Sequence, residues 1–103
     1  MTTAKFTLEN GLITGFSLKG HATTSAADEN GRLVCAAVSS AAYMAANTLS
    51  EIIGAKIEAD VSDGEMRVQV QEKLAECQPV LQGFKLHLSE LEKDYKGNIK
   101  ICF

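Results

Sequence analysis

The residues best suited to chemistry in this chain are His21, within Gly20-His21-Ala22, and Cys35, within Val34-Cys35-Ala36-Ala37-Val38-Ser39. A thiol becomes an effective nucleophile when a neighbouring base takes its proton, and an imidazole does this near neutral pH. The pattern from Val34 onward predicts the first turn of a helix. There the positive end of the backbone dipole and unpaired N–H groups favour a thiolate. Gly20 predicts the end of a strand, so the loop that follows would bring His21 to the thiol. Ser39, four residues after Cys35, shares its helix face.

The same residues have plainer readings. A cysteine among alanines and valines is often a small core hydrophobe, and Ser39 would then only make room for a neighbour. A histidine after a strand is often a polar end residue. Cys77 falls on an apolar helical stripe and reads as core, while Cys102 alternates with apolar neighbours and reads as a packing or edge residue. His87 reads as half-exposed and without a role, and the Glu90–Asp94 stretch as a solvated helix end. No pair of cysteines or histidines has metal-ligand spacing, so neither a metal nor another cofactor is predicted.

The elements that must position these groups are legible from periodicity. Lys5 to Glu9 alternates, Asn10-Gly11 supplies a hairpin turn, and Leu12 to Lys19 returns, with Gly15 marking a bulge or a close approach. Residues 22–31 (ATTSAADENG) lack periodicity and predict a mobile loop over the site. From Val34 to about Ile53, residues Cys35, Val38, Ala42, Ala45, Leu49 and Ile52 recur at helical spacing, and Gly54 stops the helix. Lys56 to Ser62 and Met66 to Val70 alternate about Asp63-Gly64, a second hairpin. A second helix follows, with Leu74, Cys77, Leu81, Phe84, Leu88 and Leu91 on one stripe and Pro79 in its first turn. Ile99, Ile101 and Phe103 close the chain as a short strand. The order ββαββα plus a terminal strand predicts an α+β domain: two hairpins in one largely antiparallel sheet, with two helices on one face.

At 103 residues the chain predicts a single domain, residues 1–103. A net charge of −3 argues against a general nucleic-acid binder. No apolar run suggests a membrane span, and the first residues lack a charged-then-apolar secretion pattern. Cysteines at 35, 77 and 102 leave one over in any disulfide scheme, which predicts free thiols and a cytoplasmic protein. The alanine-rich first helix and the alternating strands leave apolar area for a second copy, so a homodimer is expected.

The paired motifs, in this order and at this spacing, resemble the ribosomal-processing cysteine protease family of bacteria, whose members are small α+β homodimers. The resemblance implies a cysteine endopeptidase that removes a short N-terminal extension from the twenty-seventh protein of the large ribosomal subunit. Cleavage would follow a segment with paired aromatic residues. It also implies Cys35 as nucleophile, His21 as general base, Ser39 as an orienting or substrate-contacting hydroxyl, and Gly20 as a position of close backbone passage. One departure stands out. The family aspartate three residues before the cysteine is replaced by Arg32, with Asn30 where a glycine is usual, in a loop about two residues longer. A guanidinium offers only donors and cannot replace a carboxylate. Asp28 or Glu29 would have to substitute for it, or Arg32 would serve to stabilise the thiolate. Two further readings follow from that departure: a member that binds the extension without cutting it, and a thiol sensor oxidised at Cys35.

Overall fold

The computed structural model describes residues 1–20 and 29–103. Strand β1 (Thr2–Glu9) turns through Asn10 and Gly11, both at positive φ (53° and 79°), into β2 (Leu12–Gly20). This is the backbone that the Asn-Gly pair favours. The ladder runs Phe6↔Phe16 and Thr7↔Gly15, then slips to Leu8↔Ile13, so Thr14 is the extra residue of a β-bulge. Its hydroxyl lies 3.0 Å from the Thr7 hydroxyl and 3.3 Å from the Thr7 carbonyl. The extra residue resets the alternation, which lets Ile13 and Phe16, three apart, both face the core. Gly15 is the close approach: a Cβ there would lie 2.3 Å from the Val68 carbonyl oxygen.

The second hairpin, β3 (Ile57–Ser62) and β4 (Glu65–Val70), turns at Gly64 with φ of 76°. Strand β4 pairs antiparallel with β2, and β5 (Ile99–Cys102) pairs parallel with β1. The sheet order is β3-β4-β2-β1-β5, with every pairing but the last antiparallel. Two helices, α1 (Glu29–Asn47) and α2 (Leu74–Asp94), complete the α+β architecture expected from the sequence.

The helices depart from expectation at three points. Helix α1 runs from Glu29 rather than Val34, so residues 29–31 are helical and not loop. Glu29 in its first turn suits the positive helix end, which offsets the poor propensity of Gly31. At its far end α1 continues as a π-helical segment, Thr48–Ile52, where the Ile53 N–H reaches the Thr48 carbonyl at 2.9 Å. The wider turn advances the phase by one residue. Ile52, expected on the buried face, is therefore 80% exposed, and Ile53 packs on the core in its place. Pro79 sits inside α2, at its sixth residue, and not in the first turn. Both Pro79 and Ala75, whose carbonyl loses its partner, are exposed, so water can serve that carbonyl.

The continuous helix Glu29–Ile52 also corrects the expectation that no segment is long and apolar enough to span a membrane. It meets that description by length and composition only, and about a third of its most apolar stretch is buried. The alanines raise the hydropathy without forming a conspicuous run of bulky residues.

The core gathers Phe6, Phe16 and Phe84, with the Phe84 ring 4.7 Å from Phe16 and 5.8 Å from Phe6. Around them lie Val34, Val38 and Leu49 from the α1 side and Cys77, Leu81 and Leu88 from α2. Buried Gln78 ties α2 to the bulge. Its carbonyl oxygen accepts from the Ile13 N–H (2.9 Å), and its amide donates to the Ile13 carbonyl (2.8 Å). Truncation would leave two buried backbone groups unpaired, at about 1–3 kcal/mol each. Gln78→Ala should therefore lower the unfolding free energy by roughly 2–6 kcal/mol, read as a lower urea midpoint with an unchanged slope.

Candidate active site

A cavity of about 490 Å³ opens at the end of the sheet where β2 finishes. One wall is a face of α1: Cys35, Ser39 and Tyr43, at i, i+4 and i+8, with Val38 beneath them. The floor is Leu18, Lys19 and Gly20 of β2, with Thr2 of β1 beside them. The facing wall is the β3–β4 turn, from Val61 to Met66. Apolar side chains from Leu18, Val38 and Met66 thus lie under a rim of hydroxyls and charges.

Cys35 is partly buried and Ser39 is exposed, so both are accessible from the cavity they line. The first-turn placement of Cys35 is corrected: it is the seventh residue of α1. Within an α-helix the N–H at position i serves the carbonyl at i−4, so the Cys35 amide belongs to the ladder. The dipole effect, which fades beyond the first turn, is correspondingly weaker there. The unpaired N–H groups of the helix start, expected to favour the thiolate, therefore do not lie at Cys35 itself.

Gly20 is held from both sides. Its N–H donates to the Gly64 carbonyl at 3.0 Å, which joins the end of β2 to the β3–β4 turn. On the other side a Cβ at Gly20 would sit 2.9 Å from Thr2 Cα and 3.0 Å from its Oγ1. The close passage expected at this glycine is thus that of the first residues of β1. It fixes the position of Gly20, the last residue of β2.

His21 and Asp28 lie outside the described residues, as does most of the proposed gating loop. Arg32 and Glu29 are exposed on α1, and neither lines the cavity. Of the sequence candidates, the structure brings together Gly20, Cys35 and Ser39. Tyr43 was missed, although its helical spacing from Cys35 and Ser39 could have found it. The Val61–Met66 wall was missed because only the long-range β2–β4 pairing brings it there.

Of the remaining cysteines, Cys77 is wholly buried, and burial pushes its thiol pKa up, with Glu76 adding and Lys73 opposing. It stays a protonated core residue, as its stripe position implied. Cys102 is partly exposed on the edge strand β5. Among the described residues no group of three or more His, Cys, Asp or Glu side chains converges to hold a metal.

Comparisons with known proteins bear on this arrangement. The family model described as cysteine protease Prp matches residues 1–100. No curated protein sequence matches the chain. The ribosomal processing protease Prp from S. aureus, in complex with a covalently linked product peptide, is 23% identical with a TM-score of 0.85, covering 99% of this chain and 98% of that one. The same protease in complex with a substrate peptide is 22% identical with a TM-score of 0.86, covering 98% and 97%. SMU.848 from Streptococcus mutans is 22% identical with a TM-score of 0.82, covering 99% and 96%. At these identities the structural likeness is one of fold.

The geometry makes Gly20 a sensitive point. Gly20→Ala should displace β1 from β2, at about 1–3 kcal/mol of stability. The resulting misplacement of the residue that follows should slow turnover roughly 10- to 100-fold. Chemical denaturation and peptide turnover measured on the same preparation would check both effects.

Proposed function

The chain belongs to the cysteine protease Prp family and is a cysteine-type peptidase, and on that premise we propose that it trims the N-terminal extension of a bacterial large-subunit ribosomal protein, in support of ribosome assembly. The carrying observation is that Cys35, Ser39 and Gly20, the residue before His21, border one cavity. His21 accepts the Cys35 proton, and the thiolate sulfur attacks the carbonyl carbon of the scissile peptide bond. The C–N bond then breaks, the leaving amine takes the proton from His21, and an acyl-enzyme remains. Water, activated by His21, hydrolyses the thioester and restores the thiol. The covalently linked product peptide in the Staphylococcus aureus protein supports the covalent route.

Ser39 would donate to the bound peptide, a role supported by its exposure and its place in the cavity lining. Arg32 in the family's aspartate position supports the second reading, a member that binds the extension without cutting it. Asp28 and Glu29 are the carboxylates near enough in sequence to replace that aspartate. The three free cysteines support action in the cytoplasm.

Mass spectrometry of a synthetic extension peptide incubated with the protein tests the reading. A single cut is expected, lost in Cys35→Ala and reduced at least 100-fold in His21→Ala. Binding of intact peptide without a cut would establish the non-cutting reading, and absence of both would remove the ribosomal substrate.

We propose further that two copies associate through the outer face of α1, where Leu33 and Met44 are 55% and 68% exposed. Ala36 and Ser40 between them are small enough to let a second helix approach closely. Analytical ultracentrifugation should show a dimer that the double variant Leu33→Asp/Met44→Asp converts to monomer.

A further inference from the structure

The sheet has two faces, and the helices occupy one of them. Ala4, Phe6, Phe16, Leu18, Val68 and Ile99 are buried on that face. Strand alternation sends the residues between them to the other face, where Lys5, Lys19, Arg67 and Lys100 are exposed.

The register gathers three of these cations at one place. Thr3 of β1 lies opposite Lys19 of β2 and Lys100 of β5. Lys5, two residues further along β1, is diagonal to both. Strands lie about 4.8 Å apart with a rise of ~3.3 Å per residue, which sets the Lys19 and Lys100 positions roughly 10 Å apart and Lys5 roughly 8 Å from each. The three lysine positions form a triangle about Thr3, and Ser17, opposite Lys5, adds a second hydroxyl.

No carboxylate answers these cations. The acidic residues of the face stand on β4 and β3, on the far side of β2. Glu65 is opposite Lys19, yet its carboxylate accepts from Arg67 Nε at 2.8 Å. Asp60 is opposite Arg67, and Glu58 accepts from the Gln71 side-chain amide at 2.9 Å. Among the described residues Lys5, Lys19 and Lys100 have no ion-pair partner. Like charges on neighbouring positions of a sheet face repel. A chain of net charge −3 thus carries a segregated cationic patch whose repulsion an anion would relieve.

The chemistry around the patch selects the anion. The ladder neighbours of the three lysines, Thr3, Ser17, Cys102 and Glu65, include no large apolar or aromatic side chain. A protein partner, a second copy included, needs apolar or aromatic anchors at the centre of its interface. A phosphodiester backbone needs none, because neutralising phosphates releases condensed counterions, and lysines with serine and threonine hydroxyls are its usual contacts. Without an aromatic platform for unstacked bases, a duplex suits the face better than a single strand.

We propose that this face docks on the phosphate backbone of duplex RNA, through Lys5, Lys19 and Lys100 and the hydroxyls between them. The choice of RNA rests on the ribosomal reading above, since a ribosomal protein is a substrate met beside RNA. Lys19 also lines the Cys35 cavity, so the docked duplex would adjoin the candidate active site. The face lies away from α1 and stays open in the dimer proposed through that helix.

The test is fluorescence anisotropy of a short labelled RNA duplex, with cleavage of the free extension peptide followed on the same preparations. Each neutralised phosphate contributes about 0.7–0.9 to the salt slope, so three lysines predict a Kd that rises roughly 20- to 40-fold between about 50 and 200 mM KCl. In Lys5→Gln/Lys100→Gln, one lysine remains and the rise should fall to about threefold, with binding at least tenfold weaker at the lower salt. Neither substituted residue lines the Cys35 cavity, so kcat and KM on the free peptide should stay within twofold of wild type. Wild-type affinity in the double variant, or no duplex binding while the peptide is still cut, would overturn the RNA surface and leave the peptidase reading standing. Salt-dependent binding lost in the double variant, without peptide cleavage by wild type, would uphold the surface and count against the ribosomal substrate. Displacement of the duplex by poly-glutamate of equal total charge would overturn RNA in favour of an acidic protein. Loss of the dimer in the double variant, with duplex binding unchanged, would overturn it in favour of a second copy.

Discussion

The structure depends on one side-chain amide. Gln78 presents its carbonyl and its NH₂ to the N–H and C=O of Ile13, as a neighbouring strand would, at the one place where the β1–β2 ladder is broken by a bulge. A bulge leaves backbone groups without a ladder partner, and buried backbone groups in that state are costly. A third bond from the same NH₂ to the Leu74 carbonyl at 3.0 Å holds Gln78 to its own helix. The register of β2 is thereby locked to α2. From that register follow the inward settings of Phe16 and Leu18 and, at the strand end, the position of Gly20 between Thr2 and the β3–β4 turn.

The fold was legible where local chemistry decides it. Asn10-Gly11 and Asp63-Gly64 announced both hairpins, and the stripe from Leu74 to Leu91 announced the face of α2 that surrounds Phe84. The stripe through Cys77, Leu81, Phe84 and Leu88 is buried as its spacing implied. Legibility failed where one residue changes the phase. Ile52 was lost because a π turn is set by hydrogen bonding at the helix end, which leaves no mark in apolar spacing. Gly15 marked a bulge or a close approach, and the bulge falls one residue earlier, at Thr14; its compensation was hidden because Gln78 is sixty-five residues from Ile13. The start of α1 was missed because Asn30 and Gly31 are poor helix residues, and only the continuing helix beyond them keeps them in register.

The candidate site divides along the same line. Cys35 and Ser39 belong to one helix face, so their proximity is local and their spacing disclosed it. Tyr43 belongs to that face as well and completes the wall one turn further on. The facing wall is non-local. Val61 and Met66 reach the cavity only because β4 pairs with β2 and the Gly20 N–H ties the turn at Gly64 to the strand end. A cavity built from one end of a sheet and one helix face needs no dedicated domain, which is how so short a chain can hold one.

The small residues of α1 shape what is left open. Ala42, Ala45 and Ala46 are its buried contacts through the middle of the helix. The distance between packed helices is set by the side chains at the contact, from about 8 to 10 Å. An alanine face permits a close approach, and α1 contacts α2 and β1. The helical layer is then too narrow to reach an outer strand. The uncovered strand is β3, since α2 contacts β2 and β5 and α1 contacts β1. Bulkier residues at those three positions would move α1 outward over β3, closing the cavity that Val61 shares with Cys35. The economy of side-chain volume in α1 is thus what gives the thiol an open flank.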